Sequence, residues 1–391
     1  MLVCIASALM EGLSIIGLVC LLIGWCGVIL HGIALGRLRL HLQKAPWEGE
    51  RVAGPVTHWR AIKKGVPALA AKLESLILST RKGDQVLLGA DEGSLDAEIC
   101  TTVKHKFPKH DIVLVLCKPG IAINPKISKF IQMQPQASHT LWMLTDSEAI
   151  LEADFVDRVL QEWSEGDVDA ITCGYRFEKL IGWFQKLDAT AALATLWPGL
   201  MLAKNRKFTL GACTLLAGDD VKAAGGWEAF GGFLAEDCEL GKALVRAGKK
   251  IGLSRYVLSL EADPMTLIQY AKHQHRVAVT YRVADISGAA GLPFMHVIPA
   301  LVVAVFLLPK YLAILASVGV FVRLAQVQTS ARLLRWENPG LWFSALIGPV
   351  MESFFWLLAW LPLPVWWTGR WLGVGYDGRL GGTKNLQDGQ S

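Results

Sequence analysis

Apolar and polar positions follow three different rhythms along this chain. From Leu13 to Gly36 the sequence is continuously apolar, close to the ~20 residues that cross ~30 Å of hydrocarbon, and predicts a membrane-spanning helix. Arg37, Arg39 and Lys44 follow it at once, whereas Glu11 is the only charged side chain before it. Basic residues collect on the cytoplasmic side of a span, so the middle of the chain, beyond these cations, is expected in the cytoplasm. Their position after the apolar core argues against a cleaved signal peptide. Residues 50–265 change rhythm. Short apolar runs at Gln85–Asp91, Asp111–Cys117 and Thr140–Asp146 read as strands, and Pro67–Leu78 and Gly93–Lys106 read as helices. Strands alternating with helices predict an α/β domain with a parallel sheet. Such sheets bind ligands beyond the carboxyl ends of their strands, where Asp91 and Asp146 stand.

After Pro264 the pattern turns amphipathic. Met265–Val283 carries Lys272, His273, His275, Arg276 and Arg282 among apolar residues, as a helix lying in a membrane interface would. Three apolar segments come next: Leu292–Leu308, Tyr311 to about Ala331, and Leu341–Leu363. The Pro309-Lys310 break predicts a hairpin of the first two, and Arg332 and Arg335 mark its return to the cytoplasm. The third holds Pro349 and Glu352, and either spans once or dips and returns. Arg370, Arg379 and Lys384 in the tail argue for a cytoplasmic end, whereas four crossings would put it outside. The chain thus divides into a transmembrane helix (1–36), a cytoplasmic catalytic domain (37–263), an interfacial helix (264–290), C-terminal transmembrane helices (291–364) and a tail (365–391).

Composition sharpens this picture. Hydrophobic residues make up 52% of the 391 and charged residues 19%, too apolar for an ordinary soluble enzyme. The net charge of +5 gives no case for nucleic acid and suits an anionic leaflet. Eight scattered cysteines form no C-x-x-C pair, which argues against a zinc site and for reduced thiols.

Four groups carry candidate chemistry. Asp146-Ser147-Glu148 closes an apolar strand, and two carboxylates there offer the hard oxygen ligands that Mg²⁺ or Mn²⁺ prefers; a solvated turn would read the same. Glu236-Asp237 opens a helix, where acids favour the dipole and where one of them can accept a proton from an attacking hydroxyl. Asp91, after an earlier strand, suits a nucleotide base or ribose, or is an ordinary turn residue. The cations Lys272, His273, His275 and Arg276 suit a departing diphosphate or lipid headgroups. Lys126, in Asn124-Pro-Lys-Ile-Ser128, is a further phosphate contact or a surface lysine.

In their order these pieces resemble the ceramide glucosyltransferase family and its bacterial relatives, including the hopanoid-biosynthesis glycosyltransferases. The likeness runs over nearly the whole chain: a leading membrane helix, Asp91, Asn124-Pro-Lys-Ile-Ser128, Asp146-Ser-Glu148, Gly211-Ala-Cys213, Gly225-Gly226, Glu236-Asp237, the element His273-Gln-His-Arg-Val277 and trailing membrane helices. It implies an α/β fold of the GT-A (nucleotide-diphospho-sugar transferase) class between N-terminal and C-terminal transmembrane helices. It also implies a UDP-sugar donor, a divalent cation (Mg²⁺ or Mn²⁺) and inversion at the anomeric carbon. On this likeness Asp91, Asp146, Lys126, His273 and Arg276 hold the nucleotide sugar, Asp146 and Glu148 the metal, and Asp237, with Glu236 beside it, the acceptor proton. Three positions depart from the pattern. Glu148 stands where many bacterial relatives have a second Asp, a change that keeps the charge but lengthens the reach. His273 stands where Gln or Arg is usual, and Val277 where Trp is usual, a loss of stacking for which Trp227 is the available substitute. Trp366-Trp-Thr-Gly-Arg370 looks like the short tail of membrane glycosyltransferases; an aromatic belt with a snorkelling arginine reads alike.

The expected function is transfer of glucose, or a related hexose such as GlcNAc, from a UDP-sugar to a hydroxyl of a membrane lipid, ceramide-like or hopanoid. The expected setting is the bilayer, a bacterial inner membrane, with the catalytic domain cytoplasmic. The rivals are a processive polysaccharide synthase, which needs a longer membrane channel and usually keeps the missing Trp, and a catalytically degenerate lipid-binding relative.

Overall fold

The structure is a computed structural model that describes residues 2–43, 54–165, 167–178, 180, 182–203, 206–261, 264–336 and 340–382. Lys44 and Lys384 of the basic flanks lie outside the described residues. In chain order α1 (Leu2–Leu42) is followed by β1 (Val56–Ala61), α2 (Leu69–Ser79), β2 (Gln85–Asp91), α3 (Leu95–Lys106) and β3 (Asp111–Cys117). Then come α4 (Pro125–Met133), β4 (Leu141–Thr145), β5 (Ala149–Ile150), α5 (Phe155–Glu165) and β6 (Ala170–Glu178). Next are α6 (Trp183–Ala191), a π-helical turn (Ala192–Leu196), α7 (Trp197–Leu202), β7 (Cys213–Ala217), α8 (Gly218–Ala223), α9 (Glu236–Arg246) and β8 (Ile251–Glu261). The chain ends with α10 (Leu267–Ala284), α11 (Ile286–Ala290), α12 (Val297–Leu307), α13 (Lys310–Leu333), α14 (Leu341–Ala359), β9 (Val365–Trp367), β10 (Arg370–Val374) and β11 (Leu380–Gly382).

These elements fall into two units. One comprises Ala45–Lys179, Asn205–Asp263 and Pro364–Ser391; the other Met1–Lys44, Leu180–Lys204 and Pro264–Leu363. Residues 180–204, inside the stretch read from sequence as the catalytic domain, therefore belong with the apolar helices. Their own composition explains it: from Ala189 to Trp197 every side chain is buried except that of Ala191, which is partly so. The tail, read as a separate piece, belongs with the sheet.

Among the described residues, the main sheet of the sheet unit has eight strands in the order β3-β2-β1-β4-β7-β6-β8-β5. The contacts β3-β2, β2-β1, β1-β4 and β6-β8 are parallel, while β7 runs antiparallel to both neighbours and β5 to β8. The predicted parallel sheet is thus a mixed one. Every residue of β1 is buried, as a strand covered on both faces requires. Leu73, Leu76, Ile77, Val86, Leu88, Val159 and Leu215 fill one side. Trp59, Phe130, Trp142 and Trp227 fill the other, with ring centroids 4.6 Å apart for Trp59–Trp142 and 4.8 Å for Phe130–Trp227. Strands β9–β11 make a small antiparallel sheet. It joins the loop before α9: Leu234 N donates to Gly378 O (3.0 Å), Leu380 N to Gly232 O (2.7 Å), and the Arg379 guanidinium lies 4.9 Å from the Phe233 ring centre. The described part of the tail, 365–382, is therefore anchored to the sheet unit.

In the other unit, three helices among the described residues are long and apolar enough to cross a membrane: Glu11–Leu42, Lys310–Leu333 and Leu341–Ala359. The expected first C-terminal span, Leu292–Leu308, is shorter than that. Its α-helix has 11 residues, about 17 Å at 1.5 Å per residue, because a 3-10 turn at Leu292–Phe294 interrupts it. It still forms the expected hairpin. A Cβ on Gly17 would lie 2.8 Å from Leu308, on Gly24 2.4 Å from Leu301, and on Gly27 2.1 Å from Val297, so α12 runs antiparallel along a glycine seam of α1. Small residues allow such backbone approach between apolar helices. Helix α13 runs parallel to α1: Leu312 and Ala316 pack with Leu21, and further along Gln326 Nε2 donates to Val28 O at 2.9 Å. The basic ends of α1 (Arg37, Arg39) and α13 (Arg332) therefore lie at the same end of the bundle.

Candidate active site

The site is built around one helix cap. Asn124, fully buried, accepts with Oδ1 from Lys126 N (3.0 Å) and Ile127 N (3.2 Å), capping α4 behind Pro125, as an N-cap side chain does. Its Nδ2 donates to Phe233 O and Glu236 Oε2, both at 3.0 Å. One side chain thus fixes α4, which carries Lys126, to the start of α9, which carries the acid pair. Lys126 Nζ reaches Asp146 Oδ1 at 2.7 Å, at the end of β4, and Glu236 Oε1 at 3.5 Å. Asp237 is held by backbone: Oδ2 accepts from Gly211 N (2.7 Å) and Oδ1 from Cys238 N (2.8 Å). Gly211 marks the convergence. A Cβ there would lie 3.3 Å from Asp237 Oδ2, 3.3 Å from Lys126 Nζ and 3.4 Å from Asp146 Oδ2. Three carboxylates from β4 and α9 therefore surround one ammonium, although 91 residues of chain separate Asp146 from Asp237.

Electrostatics follow from burial. Desolvation raises the carboxyls of Asp146, Glu236 and Asp237 above their ordinary values, with Lys126 opposing it in each case. Burial alone would lower Lys126, but Asp146 and Glu236 hold it above the usual lysine value. A raised carboxyl is a stronger proton acceptor once ionised. Burial acts on Glu148 the same way, yet Lys63 at 2.7 Å brings its carboxyl below normal. Asp91, at the end of β2, pairs with Lys129 at 2.8 Å, one helical turn beyond Lys126. So α4 contacts both strand-end aspartates.

His273 and Arg276 lie on α10, in the unit of apolar helices. His273 Nε2 and Gln274 Nε2 donate to Asp188 Oδ1 of α6 at 3.1 and 2.7 Å, and Arg276 Nη2 donates to His273 Nδ1 at 3.2 Å. His273 thus bridges an acid and a guanidinium through its two nitrogens. His275 is buried at 9% exposure, so the cationic run is not one exposed stripe. Trp227 cannot stand in for the missing tryptophan: it is 1% exposed, inside the aromatic core.

Several functional neighbours escaped the sequence reading. Arg60 is fully buried on β1; it donates from Nε to Thr145 Oγ1 (3.1 Å) and from Nη1 to Ala149 O (3.3 Å), bracketing Asp146-Ser-Glu148. Burial brings its guanidinium down to about 10, with Asp146 and Glu148 opposing. Its strand, Val-Thr-His-Trp-Arg-Ala, mixes polar and apolar residues, so no local signal marked it. Lys63, Lys129 and Asp188 had none, because each is defined only by its distant partner.

A divalent cation fits this donor set. The acceptors of this half-buried cluster are all oxygen, and one ammonium faces three carboxylates. Among the described residues no group of three or more His, Cys, Asp or Glu is arranged as a ready-made metal cage. One or two carboxylates completed by substrate phosphates is the usual way such enzymes hold Mg²⁺. Asp146 is best placed, since its Oδ2 faces the cluster; Glu148 is engaged by Lys63.

The sequence profile of the glycosyl transferase family 21 matches residues 25–380. The chain belongs to glycosyl transferase family 21. Its mixed, parallel-rich sheet is of the GT-A class, as the family requires. Among solved structures, the mannosyltransferase PcManGT from Pyrobaculum calidifontis, in complex with GDP-Man and Mn²⁺, is similar at 14% identity, over 84% of this chain and 99% of that one, with a TM-score of 0.48. TarS from S. aureus in complex with UDP-GlcNAc is similar at 12% identity, over 72% of this chain and 90% of that one, with a TM-score of 0.39. The family makes this chain a glycosyltransferase.

Proposed function

We propose that this family 21 enzyme transfers a hexose, glucose or GlcNAc, from a UDP-sugar to a hydroxyl of a membrane lipid, with inversion at the anomeric carbon. The observation that carries it is the convergence of Asp146, Glu236 and Asp237 with Lys126 around Gly211. In this reading Asp237 takes the proton of the attacking hydroxyl. Its two backbone donors fix the carboxylate's orientation, and its burial keeps it basic. Asp91 holds uracil or ribose, and Lys126 meets the diphosphate. Asp146 and Glu148 hold Mg²⁺ or Mn²⁺, which when bound supplies positive charge for the leaving diphosphate. Arg276, oriented through His273 and Asp188, is assigned to the same leaving charge. Glu236 holds the Asn124 amide and so sets the position of its neighbour.

The lipid acceptor is supported by the apolar helices attached to the catalytic part. The proposed setting is a bacterial inner membrane with the sheet unit cytoplasmic.

The test is incubation of purified chain with labelled UDP-glucose or UDP-GlcNAc, Mg²⁺ or Mn²⁺, and membrane lipid extract. A labelled lipid of discrete size is expected. A polymer would favour a processive synthase, and no turnover with any combination would favour a degenerate relative.

A further inference from the structure

The unit of apolar helices carries buried polarity that the catalytic reading does not use. Arg323, in the middle of α13, is 2% exposed; its Nη2 donates to Ala194 O at 3.2 Å, and its Nε has no partner. His31 Nε2 on α1 meets the same carbonyl at 3.0 Å. Ala194 lies in the π-helical turn, a distortion that frees backbone carbonyls and is common at functional sites. Gln326, one turn along, has given its amide nitrogen to Val28 O, while its Oε1 is buried without a partner. Arg323 and Gln326 face a cavity of about 10 Å³, which Leu35, Leu38, Trp197 and Ser330 help to line. Leu35 and Gln326 are only half-buried, so the cavity meets the bundle surface there. An unpaired donor and an unpaired acceptor in an apolar bundle each cost free energy. Ionisable residues at such depth mark ligand sites more often than packing.

The size and charge of the cavity narrow the ligand. About 10 Å³ accommodates one water-sized group and is too small for a phosphate. Arg323 has a countercharge in Glu352 of α14, so no anion is required. A single hydroxyl fits both vacant partners, since its oxygen accepts from Arg323 Nε while its hydrogen goes to Gln326 Oε1. The site lies between His31 and Leu38 on α1 and between Arg323 and Ser330 on α13, and opens on the bundle surface at Leu35 and Gln326.

We propose that this cavity binds a hydroxyl of an uncharged amphiphile, with Arg323 as donor and Gln326 as acceptor. Given the lipid-glycosylating reading above, that amphiphile is the acceptor lipid. The test uses the full chain in phosphatidylcholine nanodiscs containing either diacylglycerol or phosphatidylglycerol, with bound lipid counted by native mass spectrometry. Wild type should retain diacylglycerol in preference to phosphatidylglycerol. Gln326→Leu should weaken that retention about tenfold, the ~1.4 kcal/mol of one hydrogen bond. Arg323→Met should behave like Gln326→Leu, and if it does not fold, the comparison of Gln326→Leu with wild type still decides. A preference for phosphatidylglycerol, or equal retention by Gln326→Leu and wild type, overturns the proposal and leaves a structural water only. Selective retention without sugar transfer by wild type would sink the enzymatic reading and leave this site standing. Transfer with an unchanged acceptor KM in Gln326→Leu would sink this site alone.

Discussion

Replacing Lys126 by methionine removes the ammonium that Asp146 and Glu236 share while keeping the length of the side chain. At 2.7 Å from Asp146 and 3.5 Å from Glu236, its gross attraction is about 6 and about 5 kcal/mol with an effective dielectric of about 20. Most of this is offset by desolvation, and removing one partner of a buried pair typically costs about 3–5 kcal/mol. Proton uptake caps the loss. Protonating one carboxyl at pH 7 from an ordinary value of 3.8 costs about 4 kcal/mol at 1.36 kcal/mol per unit. Lys126 and Asp146 are 22% and 31% exposed, so the low end applies, about 3 kcal/mol. The same charges set the sign of the pH dependence. Asp146, Glu236 and Asp237 already have raised folded-state values, and losing Lys126 raises them further. The folded mutant then holds more protons than the unfolded chain, so its stability is greatest below the ordinary carboxylate range and falls as pH rises through the raised values. The deficit relative to wild type should be full at pH 7 and shrink toward pH 4. Mn²⁺ should recover part of it at pH 7, because a divalent cation can occupy the vacated charge position. The assay is thermal unfolding in detergent at both pH values, with and without Mn²⁺. An unchanged melting temperature at pH 7, or a deficit that grows on acidification, would refute the electrostatic reasoning.

Other consequences are separable. Asn124→Ala should cost about 2–4 kcal/mol in thermal unfolding, since it removes a helix cap and leaves a buried carboxylate and carbonyl unserved. Gly211→Ala meets no strained backbone, yet puts a methyl 3.3 Å from Asp237 Oδ2 and Lys126 Nζ; transfer should fall about 10- to 100-fold with little change in melting. Gly27→Ala forces a Cβ to 2.1 Å from Val297 and 2.2 Å from the Phe294 carbonyl, and overpacking of that kind costs about 1–3 kcal/mol. Gly12→Ala, with nothing within 4 Å, is its control and should be neutral or slightly stabilising in the same melt.

What could be read from sequence was what local pattern encodes. Gln85–Asp91 and Asp111–Cys117 emerge as strands with the predicted limits, because short apolar runs and flanking turns are local properties. Asp146 and the Glu236-Asp237 pair were found by position at element ends, and the structure adds that they face one lysine. The mixed direction of the sheet was not legible: β7 lies between β4 and β6 through pairings that span tens of residues. Nor was the membership of residues 180–204, whose helical pattern reads alike in a sheet domain or an apolar bundle. The length of α12 was misjudged because apolarity is continuous from Leu292 to Leu308 whereas the helix is not. Arg60, Lys63 and Lys129 became site neighbours only when the strands were placed side by side. Trp227 looked like a stacking residue by type, and its burial among Trp59, Phe130 and Trp142 decided otherwise.

The account turns on Asp237 as the base of a sugar transfer to lipid, and one comparison measures that directly. Wild type and Asp237→Asn are given the same labelled UDP-sugar, Mn²⁺ and lipid acceptor, with donor affinity measured in parallel. Wild type should form labelled lipid; the asparagine variant should lose about 10²–10⁴ of that rate while binding donor as tightly. Transfer by Asp237→Asn at the wild-type rate would contradict the account.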